Sequence, residues 1–344
     1  MEEYITLLNE ANSYLGFFNE PITLDTLNVI SNLSDQQQKA LFNQMYLVSE
    51  QRGHENIFNA EKNAFRAFLI DASDFGWTIQ DYMLEVLDGI KPQWVNDGTL
   101  TDEQMAGELV ADYEQKVCSS MHYEPFRMQF PTTIRDYEYK KSFYPSKLGA
   151  FVDRKIGMLN TSAEIYLMND VLIDELCSMV ENKDIVLKTN HTVNNSNGIL
   201  TLLEQVKADY IGFGQPNDVY NVDGKISITP YDDLKYMITK ASTFERIKVR
   251  EYSGAFNLDQ MKLEGRVIFI PENYEMPEVD GEIPLFFLVD RRAIVIAIKL
   301  WRMGSFYVPN QYKTNHWLGV EGIRGHNRFI NAVAYMGEEQ GNFT

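Results

Sequence analysis

His316 and His326 stand ten residues apart in "NHWLGVEGIRGHNRFINAVAYM" (Asn315–Met336), with Glu321 between them and Arg324 and Arg328 flanking the second. Imidazole and carboxylate are metal ligands. Metal sites on strands and helices, however, space their histidines by two or by three to five residues and add a third ligand nearby. A gap of ten with one carboxylate fits poorly, so neither a metal nor any other cofactor is expected. The arginines of "RGHNR" could hold a phosphate or a carboxylate; a salt-bridged loop is the simpler reading. Asp290 in "VDRR" has the type of a catalytic acid. It falls between two apolar runs, "IPLFFLV" and "AIVIAIKL", and reads more simply as a turn joining two strands of a sheet. Its pairing with Arg291 or Arg292 is worth at most about 1 kcal/mol if exposed.

The rest of the chain adds little chemistry. There is no phosphate-binding GxxxxGK[ST], no HExxH, no GxSxG and no EF-hand loop. "GFGQPN" (Gly212–Asn217) follows a helical pattern and lacks the third glycine of a dinucleotide fingerprint, so it reads as a turn. Asn190 and Asn194 match the glycosylation pattern, which carries no meaning without a secretory signal. Cys118 and Cys177 are far apart and read as semi-buried thiols of a reducing compartment. The scarcity of such motifs in 344 residues moves the expectation from an enzyme toward a structural or assembly protein.

Composition agrees. The chain is 44% hydrophobic and 23% charged, enough for a substantial core, and its formal net charge is −18. A duplex DNA reader normally gains affinity by neutralising phosphates with a basic face, so tight non-specific adhesion to DNA is not expected. The acidic start "MEEYITLLNEANSYLGFF" lacks the basic region of a signal peptide. No apolar run approaches the ~18 residues of a membrane span, and a soluble protein of a cytosolic interior is expected.

Such residues need elements to position them. Met1–Ala60 is polar and mostly helical in pattern, with Ser34 as an N-cap before Leu41, Met45 and Val48. It reads as an arm with few apolar residues for a core of its own. "GWTIQDYMLEVL" alternates with period two, and "EQKVCSSMHYEPFRMQFPTTIRDYEYKKSF" runs back with strand character after a polar loop, giving a long hairpin. Asp71–Glu114 carries a net charge of −10 and Arg127–Lys155 one of +4. An acidic hairpin and a basic segment in one chain suit contacts between copies, or else form two solvated faces that never meet. "PSKLGAFVDRKIGMLNTSAEIYLMNDVLIDELCSMVEN" is the clearest helix, with Leu148, Ile156, Leu159, Ile165, Met168, Leu172, Leu176 and Met179 at helical spacing. A shorter helix in "NNSNGILTLLEQVKADY" and buried-strand runs in "GRVIFIPE" and "PLFFLVDRRAIVIAIKL" follow, and "RFINAVAYM" alternates as a closing strand. The fold class is α+β. A long hairpin has little to bury against in a monomer and makes more sense with a neighbour beneath it.

The order of these segments resembles the major capsid proteins of tailed bacteriophages with the Hong Kong 97 fold, nearest the phi-twenty-nine-like, picovirus-type podoviruses. "TIQDYMLEV" with "FRMQFPTTIRDYEYKKSF" resembles that family's extended E-loop. "LGAFVDRKIGMLNTSAEIYLMNDVLIDEL" resembles its spine helix, "NGILTLLEQVKADYIGFGQPNDVYN" with "DLKYMITKASTFERIKVREYSGAFN" the opening of its axial domain, and "HNRFINAVAYM" its closing strand. The similarity spans roughly residues 65–336.

The resemblance implies an N-terminal arm over 1–64, an E-loop hairpin over 65–144, a spine helix of the peripheral domain over 145–190, an axial domain over 191–300 and returning peripheral strands over 301–344. It implies no enzyme activity, but self-assembly into pentamers and hexamers around double-stranded DNA held without specific binding, in a virion built in the host cytoplasm. Scaffolding, portal and decoration proteins are implied partners, and a membrane is not. The assembly interface is expected to use Trp77, Tyr82 and Trp94 of the hairpin, basic Arg127, Arg135, Lys140, Lys147 and Arg154, and Arg324 with Arg328 near the end. An encapsulin-like shell around protein cargo is the near alternative. A metal-dependent or phosphoryl-handling enzyme using His316, His326 and Arg324 is the distant one, and a minor tail or portal-associated protein a weaker third.

Overall fold

The computed structural model describes residues 2–23, 26–57, 63–72, 78–84, 117–138, 155, 157–194, 196–245 and 266–338. Its helices are α1 (Glu2–Leu15), α2 (Asp35–Ile57), α3 (Met158–Tyr166), α4 (Asp174–Glu181) and α5 (Ser196–Gly212). Its strands are β1 (Leu69–Asp71), β2 (Ile79–Leu84), β3 (Val117–His122), β4 (Glu124–Arg135), β5 (Val186–His191), β6 (Lys235–Lys240), β7 (Arg266–Ile270), β8 (Ile283–Asp290), β9 (Ile294–Val308), β10 (Lys313–His326) and β11 (Ala332–Gly337). Among the described residues the strands form three sheets, ordered β1-β9-β10-β4, β5-β11-β8-β6-β7 and β2-β3.

The five-stranded sheet is buried on both faces, as its apolar runs require. Met237, Phe286, Leu288, Val333 and Tyr335 pack under Ile199, Leu202 and Val206 of α5. The alternate residues Tyr236, Ile238, Phe287, Val289 and Ala334 face the main core. That core also takes in Leu8 and Ala11 of α1 and Leu41, Phe42, Met45 and Val48 of α2. The segment read as an arm without a core of its own thus places its sparse apolar residues, which share one stripe, on the main core. Ser34 and Gln37 form the capping box that starts α2: the Ser34 amide donates to Gln37 Oε1 at 3.0 Å, and the Gln37 amide to Ser34 Oγ at 3.4 Å.

α3 runs through a π-helical stretch, Leu167–Ile173, into α4. The wider turn lets Val171, Leu172 and Ile173 all be buried. The α3 stripe is Leu159, Ala163 and Leu167, so Ile165, expected inside, is exposed. Leu148 and Ile156 of the same pattern lie outside the described residues.

β8 and β9 are not partners. The short helical turn Arg291–Ala293 carries the chain from one sheet to the other, which corrects the reading of "VDRR" as a turn within one sheet. The segment boundary at 300/301 runs through β9. β11 pairs with β5, at the end of segment 145–190, and with β8, of segment 191–300, so its apolar residues sit inside the five-stranded sheet.

Candidate assembly surface

His316 sits on β10 with its side chain in the core. It is fully buried, and its ring meets Phe42 edge-on at 5.8 Å between centroids. Burial and the charge of Lys155 push its pKa down to about 4, so the ring is neutral at ordinary pH. His326 ends the same strand, and ten residues of extended chain separate the two rings by about 30 Å. They cannot share a ligand. Among the described residues, no three His, Cys, Asp or Glu side chains are grouped to hold a metal. Burial pushes the Cys177 thiol up to about 12, so it is an inert core group, and neither it nor Cys118 forms a disulfide.

His326 instead belongs to an ion cluster. Its Nδ1 lies 2.8 Å from Glu175 Oε1 and its Nε2 3.2 Å from Asp184 Oδ2. Arg324 pairs with Asp174, with Glu124 at 3.1 Å and with Glu175 at 3.3 Å. Arg328 lies 3.4 Å from Asp184 and 3.3 Å from Asp223. Burial opposes the charge on His326 and on Arg324; their carboxylate partners outweigh it and raise both pKa values. Two expected interface arginines are thus engaged within their own subunit, fastening α4 and the 182–184 turn to the end of β10.

A second cluster holds the base of the hairpin. β2 and β3 pair antiparallel from Ile79 with His122 to Leu84 with Val117. His122 is buried and contacts Asp81 and Asn327, each at 3.1 Å, while the Asn327 amide donates to Asp81 at 3.1 Å and to the Arg292 carbonyl at 2.9 Å. The His122 hydrogen bond lowers the Asp81 pKa despite partial burial. The inner face of the hairpin is stapled through Asp81 and His122 and seats Met83 and Cys118 against the main core; the outer face exposes Tyr82, Val117 and Met121 beside Gln80 and Ser119. Tyr82 is 65% and Tyr123 71% exposed, and Val117 and Met121 are also exposed. Tyr123 lies just beyond β3, and this group of neighbouring exposed apolar side chains marks a surface suited to contact.

Of the other expected interface residues, Arg127 is exposed on β4 and pairs with Glu321 at 2.7 Å. Arg135 closes β4, with its amide bonded to Glu138 at 2.9 Å. Trp77, Trp94, Lys140, Lys147 and Arg154 lie outside the described residues. Sequence reasoning missed His122, Asp81 and Asn327. The polar residues at alternate positions of two apolar-edged strands were the available signal. Asp290, read from the sequence as a turn residue paired with Arg291 or Arg292, is ion-paired with the Arg292 guanidinium and accepts from the Arg292 amide at 2.8 Å; unforeseen are its full burial and the bond it accepts from Thr229 Oγ1 at 2.6 Å.

The model of the Phi29-like phage major capsid protein family matches residues 12–336. The chain belongs to that family. Solved structures share its architecture at low identity. A chain of the Staphylococcus phage Andhra capsid is 11% identical with a TM-score of 0.55, over 78% of this chain and 83% of that one. A chain from the structure of head fiber and inner core protein gp22 of native bacteriophage P68 is 12% identical with a TM-score of 0.52, over 81% and 85%. No curated protein sequence matches. The fold is of the Hong Kong 97 type, and this capsid protein forms the shell of a phage head rather than catalysing a reaction. Its exposed apolar hairpin face and internally neutralised charge clusters are the features of a subunit whose partners are copies of itself. Among the described residues, no helix is long and apolar enough to cross a membrane.

Proposed function

We propose that the subunit closes a head of pentamers and hexamers by laying its β2–β3 hairpin over a neighbour, with double-stranded DNA enclosed but not gripped. The observation that carries this is the hairpin itself: exposed Tyr82, Val117 and Met121 on its outer face, with exposed Tyr123 just beyond β3, backed by a staple of half-buried Asp81 with buried His122 and Asn327. A rigid limb with an unsatisfied apolar face gains free energy only by covering that face. The acidic hairpin segment and the basic segment beginning at Arg127 supply complementary charge between copies. A net charge of −18 supports a wall that does not adhere to packed DNA.

Segments 1–64, 65–144, 145–190, 191–300 and 301–344 are proposed to act as arm, E-loop, spine, axial and returning peripheral parts, with the sheet exchange at β9 and β11 noted above. Trp77, Tyr82, Trp94, Arg127, Arg135, Lys140, Lys147, Arg154, Arg324 and Arg328 are proposed to face neighbours, the last two while also paired within their own subunit. Scaffolding, portal and decoration proteins are the proposed further partners, and assembly takes place in the host cytoplasm.

Deleting Asn96–Gly107 tests the reading. The expected product is a folded, soluble subunit that forms no particles by light scattering and negative-stain microscopy, with or without scaffold, whereas the full chain does. Unaltered shells from the deletion overturn it. Nucleic acid recovered from full-chain particles of infected cells separates a DNA head from a protein-filled compartment.

A further inference from the structure

β4 is a twelve-residue edge strand. One edge is paired with β10 from Glu124 to Arg135 without a register break, and among the described residues no strand pairs with the other. Backbone groups on a strand alternate between its two edges. The Thr133 carbonyl accepts from Lys155 Nζ at 3.2 Å and the Arg135 amide donates to Glu138, so the odd-numbered residues of β4 address the open edge. Pro125 and Pro131 are both odd-numbered. Each removes a donor from the open edge and leaves the β10 ladder intact. What remains is a short template, the amides and carbonyls of Arg127 and Gln129, bounded by a proline on either side.

The stretch Pro125-Phe126-Arg127-Met128-Gln129-Phe130-Pro131 is nearly palindromic about Met128. Turned antiparallel onto a second copy about that residue, Pro125 faces Pro131, Phe126 faces Phe130 and Met128 faces itself. Arg127 faces Gln129, so no like charges meet. The two Arg127–Gln129 pairs exchange four backbone hydrogen bonds, and they stop where the prolines lack donors. Met128 is partly exposed, and Arg127, Gln129, Pro125 and Pro131 are exposed, leaving the edge accessible.

We propose that β4 pairs with β4 of a second copy across a two-fold axis at Met128, making a continuous sheet with four strands from each copy. The self-complementary order of residues is what an isologous contact requires, and the flanking prolines limit it to one register. The contact rests on the shell reading and names one interface within it.

The register makes a single-residue test possible. In an antiparallel pair, Met128 and its mate occupy a non-hydrogen-bonded position with Cα atoms about 4.5 Å apart, within disulfide reach. Gln129 and its mate are offset by two residues and lie roughly 8 Å apart, beyond reach. Full-length M128C and Q129C proteins are oxidised in particles and run on non-reducing gels, with the wild-type chain setting the background from Cys118 and Cys177. The expected result is a dimer from M128C linked 128 to 128 by mass mapping, at least tenfold more than from Q129C. It should be lost in M128C with Gln129→Pro, which strips a donor from the open edge alone. Equal cross-linking at both positions overturns the register. Shells of M128C that give no dimer overturn the pairing and leave the shell reading intact. Folded M128C that neither assembles nor cross-links, alongside a wild-type chain that also makes no shells with scaffold, overturns both.

Discussion

His122 Nε2 lies 3.1 Å from Asp81 Oδ2, although 41 residues separate them. The contact closes the base of the hairpin, and Asn327 bolts it to the turn after β10. Replacing His122 with Ala leaves Asp81 and the buried Asn327 amide short of a partner, a loss of about 1–3 kcal/mol. Faster amide exchange over residues 79–84 and 117–122 should accompany it, with little change in β11. Gly325→Ala should act the same way, because a Cβ there collides with the His122 ring.

Stability should bend with pH at His316. Its folded pKa is depressed to about 4, so in the folded chain it stays neutral while the unfolded chain takes up a proton below about 6.5. Stability is full above pH 6.5 and falls as pH drops toward 4, by about 3 kcal/mol at most. A His316→Phe subunit should lack that acid limb in urea titrations run across the range.

His326 should give the opposite limb. Its folded pKa is raised by Glu175 and Asp184. Its contribution is therefore full below the unfolded value of about 6.5 and lost as pH rises through the folded pKa. His326→Gln should flatten the fall of stability on the alkaline side, read by the same titrations.

Asp290 joins the two large sheets. It is buried and tied to Thr229 and Arg292, so Asp290→Ala strands a partly buried guanidinium and a buried hydroxyl. A loss of about 1–3 kcal/mol is expected, measured as a drop in the midpoint of urea unfolding.

The outer hairpin face should matter to assembly and not to folding. Tyr82→Ser with Met121→Ser should shift subunit stability by about 0.5 kcal/mol or less, as exposed substitutions do. Light scattering should show the loss or marked delay of shells.

Much of the fold was legible because it is local. The Ser34–Gln37 cap, the period-two alternation of β2 and β3, and the apolar run of β11 are each decided within a few residues by backbone geometry and side-chain spacing. The mixed α+β order and the lack of catalytic spacing followed from the same patterns. The π-helical turn was not legible, since a helical pattern of period 3.6 does not announce a slip; Ile165, ahead of it, is exposed because the buried stripe of α3 runs through Leu159 and Ala163.

The sequence by itself determined the apolar strand runs of β7, β8, β9 and β11 and the helical patterns of α2 and α5, and its motifs pointed away from catalysis. Only the tertiary structure decided that β8 and β9 enter different sheets, that Asp290 is buried at the crossing, and that His122, Asp81 and Asn327 meet. Those contacts join residues tens to hundreds of positions apart. Their partners are set by how whole faces pack and which polar groups must be satisfied there, and no local period carries that information.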